Sequence, residues 1–362
     1  MPRVRQTDRV DDDLTPLRPF CDRALAGSGL WRAADLLATI PDDTAVDRYG
    51  SGGVVAELEA EVAGLLGTEA AVYLPSGTMA QQAALRVHAD RRGRRSVVFH
   101  PQCHLDVHEG RALERVQGLV GRPTGERDRL LLRADLDAVA ELPAALLVEL
   151  PQRDLGGQLP PWDDLVQQVT WAHEHGAAAH LDGARLWEAA AGYDRSPAEV
   201  AALFDTTYVS FYKGIGALAG SCLAGPADVV GEVREWRHRM GGRLFGMWPG
   251  AASALSSLRR RLPLFPAYLQ RAREVADAVR DLPGVTVVPD PPQTPMLHLL
   301  LRTTPEAFTA AARTLAEGGL WVGLNPGRTA DPAVLKVELA VGDATLALAV
   351  EEIRDAVRAL SS

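Results

Sequence analysis

The sequence predicts an α/β protein in which a large domain with a mostly parallel sheet precedes a smaller α+β domain. Between residues 70 and 225, short apolar runs alternate with helical patterns, as expected when parallel strands are joined by helices. Beyond residue 250 the strands and helices follow one another in a different order. These observations predict an N-terminal arm at 1–40, a large domain at 41–249 and a small domain at 250–362.

Length and composition support a folded protein of this kind. The chain has 362 residues, of which 47% are hydrophobic and 23% charged, so it can bury a substantial core. Its formal net charge of −9 makes nucleic acid and anionic membranes poor partners. Three widely spaced cysteines without a CxxC pair, and the lack of a signal-like or membrane-spanning apolar stretch, predict a cytoplasmic location.

The elements of the large domain begin with an amphipathic helix. Val54, Leu58 and Val62 share one face of this helix, and Gly67 is expected to end it in a left-handed conformation. The apolar runs that follow are predicted strands at 71–74, 96–99, 144–150, 177–181, 207–211 and 221–225. In the small domain, helices are expected at 251–261 and 267–281 before a series of short strands and further helices.

A turn of small residues lies directly after the strand predicted at 71–74 and before a helix predicted to begin near Met79. This turn contains Ser76, Gly77 and Thr78. It presents free backbone N–H groups, the positive end of a helix and two hydroxyls, all of which suit a phosphate. Taken alone, the turn can also be interpreted as an ordinary helix cap formed by serine or threonine.

Two charged residues end neighbouring predicted strands. Asp182 closes one apolar run, and a carboxylate at this edge of a parallel sheet lies where ligands of open α/β folds bind. Lys213 follows the next run, and a partly desolvated lysine amine can form an imine. Taken singly, Asp182 and Lys213 would each be interpreted as an exposed residue at a strand end.

Two histidines, His104 and His108, are spaced to share one face of a helix. This spacing could serve a metal ion, but the segment lacks the HExxH pattern and a third ligand, so no metal site is predicted. A histidine stacked on a planar ligand, or half buried at a helix start, is the preferred interpretation.

The combination of these features predicts the cofactor pyridoxal 5′-phosphate. The turn would hold the phosphate, Asp182 would keep the pyridine nitrogen protonated, and Lys213 would carry the aldehyde as an imine. Arg185 follows Asp182 by three residues. Other cofactor signals are weak, because residues 214–220 read GxGxxxG rather than the dinucleotide fingerprint, and no nucleotide-binding P-loop pattern occurs.

At these residues the sequence resembles the low-specificity threonine aldolase and β-eliminating lyase family of fold type I pyridoxal-phosphate enzymes. The matching segments are 47–59, 74–85, 103–109, 175–190 and 211–225. The resemblance implies a transferase-like fold type I architecture and a homodimer or homotetramer. It implies a carbon–carbon lyase that cleaves the Cα–Cβ bond of a β-hydroxy-α-amino acid, giving glycine or a related amino acid plus an aldehyde.

The resemblance also implies roles for single residues. Lys213, Asp182 and His104 would be catalytic, with His104 stacked on the cofactor ring. The cofactor-binding set would comprise Ser76, Gly77, Thr78, His104, Asp182, Arg185 and Lys213, and Arg185 would also receive the substrate carboxylate.

The sequence departs from the family at several substrate-facing segments. The family's Ser-Asp-Thr segment has no counterpart in residues 1–30, and its Gly-Gly-Met-Arg segment corresponds roughly to 241–245. Its Arg-x-Val-Thr segment is replaced by 335–338, which leaves the second carboxylate anchor open among Lys336, Arg302 and Arg328.

The base for the substrate's β-hydroxyl is a further departure. The family's Asn-Thr-His stretch aligns with Leu150-Pro151-Gln152, and Gln152 cannot take a proton, so ordinary threonine is expected to be a poor substrate. His104 could serve as this base directly or through water, with His108 as a weaker choice. The alternatives are β-elimination or transamination of another amino acid and, from a different class, a non-catalytic cofactor-binding scaffold or sensor.

Overall fold

The structure, a computed structural model, describes residues 14–29 and 32–361. The described residues form two compact units. The larger comprises 33–264, and the smaller comprises 265–361 together with 14–29 and 32. These limits differ from the predicted domains 1–40, 41–249 and 250–362, because the chain after residue 249 stays in the larger unit for one more helix.

The strands are, in chain order, β1 (Arg23–Ala24), β2 (Ala70–Leu74), β3 (Ser96–Phe99), β4 (Val120–Pro123), β5 (Ala145–Glu149), β6 (Ala178–Gly183), β7 (Thr206–Ser210), β8 (Ser221–Gly225), β9 (Val285–Val288), β10 (Met296–Leu301), β11 (Leu320–Trp321), β12 (Gly327–Arg328) and β13 (Leu335–Ala340). The α-helices span Ala33–Leu37, Gly53–Leu66, Gly77–Arg92, His104–Val107, Ala112–Arg115, Arg133–Asp137, Trp162–Glu174, Leu186–Tyr193, Pro197–Ala201, Ala227–Arg239, Trp248–Arg261, Phe265–Val279, Pro305–Glu317, Asp343–Ala347 and Val350–Leu360.

The larger unit is built on a seven-stranded sheet with the order β2-β8-β7-β6-β5-β3-β4. The five strands from β7 to β4 in this order are parallel, whereas β8 is antiparallel to both of its neighbours. Strands β5 to β8 are buried along their whole length, as expected for strands covered on both faces. The predicted α/β fold with a mostly parallel sheet is confirmed.

Strand β4 was not predicted. It lies at the edge of the sheet beside β3, and its residues are exposed or half buried. An edge strand needs no continuous apolar run, so its sequence carries little strand signal.

The helix Gly53–Leu66 confirms the predicted amphipathic element. Gly67 ends it with φ 64°, the predicted left-handed cap. Just before the helix, the buried Asp47 accepts hydrogen bonds from the backbone N–H groups of Gly50 at 2.7 Å and of Met247 and Trp248 at 2.8 Å. This carboxylate fixes the start of the helix Trp248–Arg261 within the larger unit, which explains why the unit extends past residue 249.

The smaller unit contains a four-stranded antiparallel sheet with the order β12-β13-β10-β9. Strand β1 pairs in parallel with β11, and Leu25 beyond it is fully buried. Residues 14–29 therefore pack on this unit, with Leu25 in its core, and do not form a free surface arm. Residues 1–13 lie outside the described residues. The predicted small α+β architecture is confirmed.

Candidate active site

The predicted phosphate turn opens the helix Gly77–Arg92. Ser76 caps this helix, and its hydroxyl accepts a hydrogen bond from the Met79 N–H at 3.3 Å. The helix begins two residues before the predicted start. The first N–H groups of a helix have no partner within it, so the turn presents donors and the positive helix end to one place.

Gly77 is pressed against the side chain of Tyr208 on β7. A Cβ built on Gly77 would lie 2.0 Å from the Tyr208 hydroxyl oxygen, a distance that no side chain tolerates. The glycine is therefore required by packing between the turn and the centre of the sheet, and not by backbone conformation.

We expect Gly77→Ala to lower the free energy of unfolding by about 1–3 kcal/mol, because the added methyl group overpacks the contact with Tyr208. Gly64→Ala is the matched control, since its Cβ would meet nothing within 4 Å and alanine is the better helix former. Urea unfolding should show loss of stability in the first variant and a small gain in the second. Equal stabilities would contradict the packing argument.

Two acids lie side by side at the carboxyl ends of β5 and β6. Glu149 and Asp182 are direct partners in the parallel register, and both are buried. Asp182 Oδ1 accepts a hydrogen bond from the Ala184 N–H at 3.2 Å. Burial raises the pKa of Asp182, while the positive charges of Lys213 and His104 lower it.

Lys213 follows β7 in the turn that leads to β8. Its carbonyl accepts a hydrogen bond from the Gly216 N–H at 2.8 Å, which closes this turn. The lysine charge lowers the pKa of four buried carboxyls, all of which burial raises: Glu109, Glu149, Asp182 and Glu188. The structure thus brings the predicted lysine and aspartate together and surrounds the lysine with acids.

His104 begins a short helix beside these acids. Its Nδ1 lies 3.1 Å from Oε1 of Glu109, and its backbone N–H donates to Oε2 of Glu149 at 2.9 Å. The His104 ring lies 5.1 Å from that of His108, at an interplanar angle of 41°. The histidine segment is therefore attached to the sheet edge that carries Asp182.

Arg185 follows Asp182 by three residues, and its Nη1 lies 3.4 Å from Oε1 of Glu188. Both side chains are largely buried, at 12% and 3% exposure. Burial raises the pKa of Glu188, whereas Arg185 lowers it. A buried guanidinium held in this way can receive a carboxylate without first being ordered.

Other predicted residues have other partners or belong to the other unit. Gln152 is buried, and its side-chain amide donates to the carbonyl of Gln102 at 3.2 Å. The three candidate second anchors, Lys336, Arg302 and Arg328, all belong to the smaller unit. Arg302 is largely exposed and lies 3.8 Å from Asp331.

Sequence reasoning missed three acids of the site, Glu109, Glu149 and Glu188. Glu149 carried a usable signal, because it ends an apolar run in the same way that Asp182 does. Glu109 lies in the bend after the helix His104–Val107 and Glu188 lies in the helix Leu186–Tyr193. A glutamate in such segments most often faces solvent, so their burial becomes visible only in the fold.

Comparisons with known proteins show the family to which this chain belongs. A family model described as Beta-eliminating lyase matches residues 30–301, more than half of the chain. The chain belongs to the beta-eliminating lyase family. The crystal structure of a putative L-allo-threonine aldolase from Listeria monocytogenes EGD-E is 35% identical to this lyase, with a TM-score of 0.90 over 97% of this chain and 99% of that chain.

Two further relatives give additional context. The protein Aldolase vrtJ of Penicillium aethiopicum is 36% identical over 194 residues, which are 51% of this chain and 49% of that protein. The chain therefore matches about half the length of this curated relative. A serine palmitoyltransferase variant from S. paucimobilis, solved with a pyridoxal-phosphate adduct, is 19% identical, with a TM-score of 0.67 over 94% of this chain and 88% of that chain, and shows the fold alone.

These findings confirm the predicted family, the fold type I architecture and the lyase class, and this family and fold imply the predicted cofactor pyridoxal 5′-phosphate. They also support the predicted cleavage of a β-hydroxy amino acid. No helix among the described residues is long and apolar enough to cross a membrane.

The side chains of this lyase fit the cofactor that its family implies. A helix start offers N–H donors for a phosphate, a buried carboxylate is available for the pyridine nitrogen, and a lysine amine is available for the aldehyde. Glu109 Oε2 and Glu188 Oε2 are buried without a hydrogen-bond partner among the described residues. Unpartnered buried oxygens beside a lysine are consistent with a polar ligand completing the site.

We expect Glu149→Gln to flatten the pH dependence of stability in this lyase. Burial, followed by the charge of Asp182, raises the pKa of Glu149 to about 8 from an ordinary value of 4.5. The folded protein therefore keeps a proton that the unfolded chain loses, so the free energy of unfolding falls as the pH rises from 4.5 to 8.

The variant removes this slope, and it also exchanges one hydrogen-bond acceptor for an amide, at a cost of about 1 kcal/mol. Urea unfolding at pH 5 and at pH 8.5 should therefore show a larger deficit of the variant at the lower pH. Parallel pH profiles of the two proteins would be evidence against a proton held by Glu149.

Proposed function

We propose that this protein cleaves the Cα–Cβ bond of a β-hydroxy-α-amino acid, releasing glycine or a related amino acid and an aldehyde. One observation carries the proposal: Lys213 lies at the carboxyl edge of the sheet, where its charge acts on the buried Asp182. The chain contains only one other lysine, Lys336, which belongs to the smaller unit. The name of the 35% identical relative, a putative L-allo-threonine aldolase, supports the same reaction.

The proposed roles follow from the chemistry of each group. Ser76, Gly77 and Thr78 hold the cofactor phosphate, Asp182 holds the proton on the pyridine nitrogen, and Lys213 binds the aldehyde carbon. His104 covers the ring, and Arg185 receives the substrate carboxylate. When bound, pyridoxal phosphate disperses the electron pair left on Cα after cleavage.

The carboxylate contact decides which bond breaks, because the bond held perpendicular to the cofactor plane is the one activated. Arg185 is already ordered by Glu188, so it can fix the substrate's orientation at little entropic cost. Gln152 cannot take a proton at the position that the family resemblance assigns to a histidine. We therefore expect ordinary threonine to be a poorer substrate than some other β-hydroxy amino acid.

The proposed assembly is a homodimer or homotetramer in the cytoplasm. Tyr49 and Phe245 support association, because both are exposed and stack edge to face with ring centroids 5.3 Å apart on the larger unit. Cys21, Cys103 and Cys222 are buried thiols without a disulfide, which supports a reducing compartment. Sedimentation at micromolar concentration should give a mass of at least two chains.

The deciding experiment incubates the cofactor-loaded protein with a panel of β-hydroxy-α-amino acids of differing side chains and stereochemistry. Aldehyde and glycine formed in equal amounts are expected from at least one of them. Pyruvate and ammonia would instead indicate β-elimination, and a cofactor left in the amine form would indicate transamination. Spectral changes with no product from any compound would favour a non-catalytic sensor.

A further inference from the structure

His108 and Asp154 form a hydrogen-bonded pair beside the candidate active site. His108 follows the short helix His104–Val107, and its Nε2 lies 3.2 Å from Oδ2 of Asp154. Asp154 lies in the 3-10 turn Arg153–Leu155, directly after Gln152. The His108 ring packs at 5.1 Å on His104, the residue proposed to cover the cofactor ring.

The two segments that carry this pair are attached to one carboxyl group. Glu149 Oε2 accepts the His104 N–H at 2.9 Å, and Glu149 Oε1 accepts the Arg153 N–H at 3.1 Å. A single buried side chain thus sets the histidine segment and the turn of Asp154 relative to each other. Groups positioned by such shared contacts meet with little loss of freedom.

Cleavage of a β-hydroxy amino acid requires a group that takes the β-hydroxyl proton. Gln152 cannot do so, and His104, whose Nδ1 lies 3.1 Å from Glu109, is the residue proposed to cover the cofactor ring. His108 has its Nε2 on a carboxylate and makes no hydrogen bond through Nδ1 among the described side chains. A carboxylate on one ring nitrogen fixes the imidazole tautomer and makes the other nitrogen a proton acceptor, as in histidine–aspartate pairs generally.

We propose that His108, oriented by Asp154, accepts the β-hydroxyl proton, an inference that rests on the proposed function. The proton moves to Nδ1 of His108, and the electrons of the O–H bond form the carbonyl of the aldehyde as the Cα–Cβ bond breaks. The electron pair of that bond stays on Cα, which takes a proton from solvent to give the amino acid product. His108 returns its proton to solvent.

Arg153 also faces this pair. Its Nη1 lies 3.4 Å from Nε2 of His108 and 3.8 Å from Oδ1 of Asp154. Nε2 of His108 lies closer to the Asp154 carboxylate, at 3.2 Å, than to the Arg153 guanidinium. Because a carboxylate accepts a hydrogen bond, we expect the tautomer that carries its proton on Nε2. Asp154 is thus a positioning residue and His108 the catalytic one.

The test compares His108→Phe with His173→Phe in the cofactor-loaded protein. His173 forms a similar pair with Asp205, at 3.1 Å from Nε2 to Oδ2, but Asp205 precedes β7 and so lies at the opposite edge of the sheet. We expect His108→Phe to lower kcat for aldehyde release by about 100-fold or more, and His173→Phe to leave it within about twofold.

Exchange of the α-proton of glycine in deuterated water separates this role from a structural one. The exchange needs the cofactor and the lysine but no base for a hydroxyl group. His108→Phe should therefore keep the exchange rate within about threefold of the unaltered protein. Equal losses of exchange and of aldehyde release would show that His108 only supports the fold.

Asp154→Asn gives a readout that does not depend on activity. Nitrogen-15 chemical shifts of the His108 ring should report the Nε2–H tautomer in the unaltered protein and a mixture of tautomers in the variant. Aldehyde release should fall by about tenfold or more. An unchanged tautomer would overturn the positioning role of Asp154.

Failure of this inference is distinguishable from failure of the proposed function. If the unaltered protein releases aldehyde and His108→Phe has the same kcat, the role of His108 is overturned and the proposed reaction still stands. If the unaltered protein releases no aldehyde from any substrate, both are overturned.

Discussion

Lys213→Ala is expected to abolish the visible absorbance of the covalently bound cofactor and to lower kcat by at least about 10³-fold. Lys213 is the only lysine among the described residues of the larger unit, so no neighbouring lysine amine can replace it. Loss of a group that takes part in covalent chemistry commonly costs several orders of magnitude, because the remaining residues act only with it. Absorbance spectra of the variant reconstituted with excess cofactor provide the measurement.

Lys336→Ala is the matched control for this prediction, since it removes the other lysine of the chain. This variant should keep its colour. Borohydride reduction of the unaltered protein, followed by peptide mapping, should place the label on the peptide that contains Lys213. A label on Lys336, or a coloured Lys213→Ala variant after dialysis, would refute the proposed site.

Asp182→Asn is expected to reduce kcat by about 10²–10³-fold while the fold is retained. The amide keeps the shape of the carboxylate, and its oxygen can still accept the Ala184 N–H at about the same place. It has no negative charge, so it cannot hold a proton on the pyridine nitrogen, and the electron pair on Cα is left poorly stabilised. The comparison requires kcat at saturating cofactor and a separate measurement of cofactor affinity.

Asp205→Asn serves as the control for this substitution. Asp205 also accepts a backbone N–H, that of Ala179 at 2.7 Å, but it precedes β7 at the other edge of the same sheet. The control should keep most of the activity. A comparable loss in both variants would show that the effect of Asp182→Asn arises from the fold rather than from the charge.

Much of the larger unit could be predicted from local patterns. Each buried strand of β5 to β8 is a short apolar run, and Gly67 marks a helix end that the structure confirms. Local patterns could not give the limits of the compact units. The attachment of the helix Trp248–Arg261 depends on Asp47, which is about 200 residues earlier in the chain.

The site could also be predicted only in part, because local patterns place residues at strand ends but do not show which strands pair. Lys213 and Asp182 follow apolar runs, so the sequence places both at the same edge of a parallel sheet. The neighbour of Asp182 is set by the pairing of β5 with β6, and only this pairing shows that Glu149 lies beside it. The pair of His108 and Asp154 requires the turn after β5 to fold back over the histidine segment, a contact between residues 46 apart.

The packing of Gly77 on Tyr208 bears on how far the proposed phosphate turn can move. Tyr208 lies in β7, and Lys213 follows that same strand, so the turn and the segment that carries the amine both contact one buried strand. Neither segment can shift far without disturbing the centre of the sheet. We therefore expect a vitamin B6 derivative with a phosphate arm one methylene longer to bind more weakly than pyridoxal phosphate.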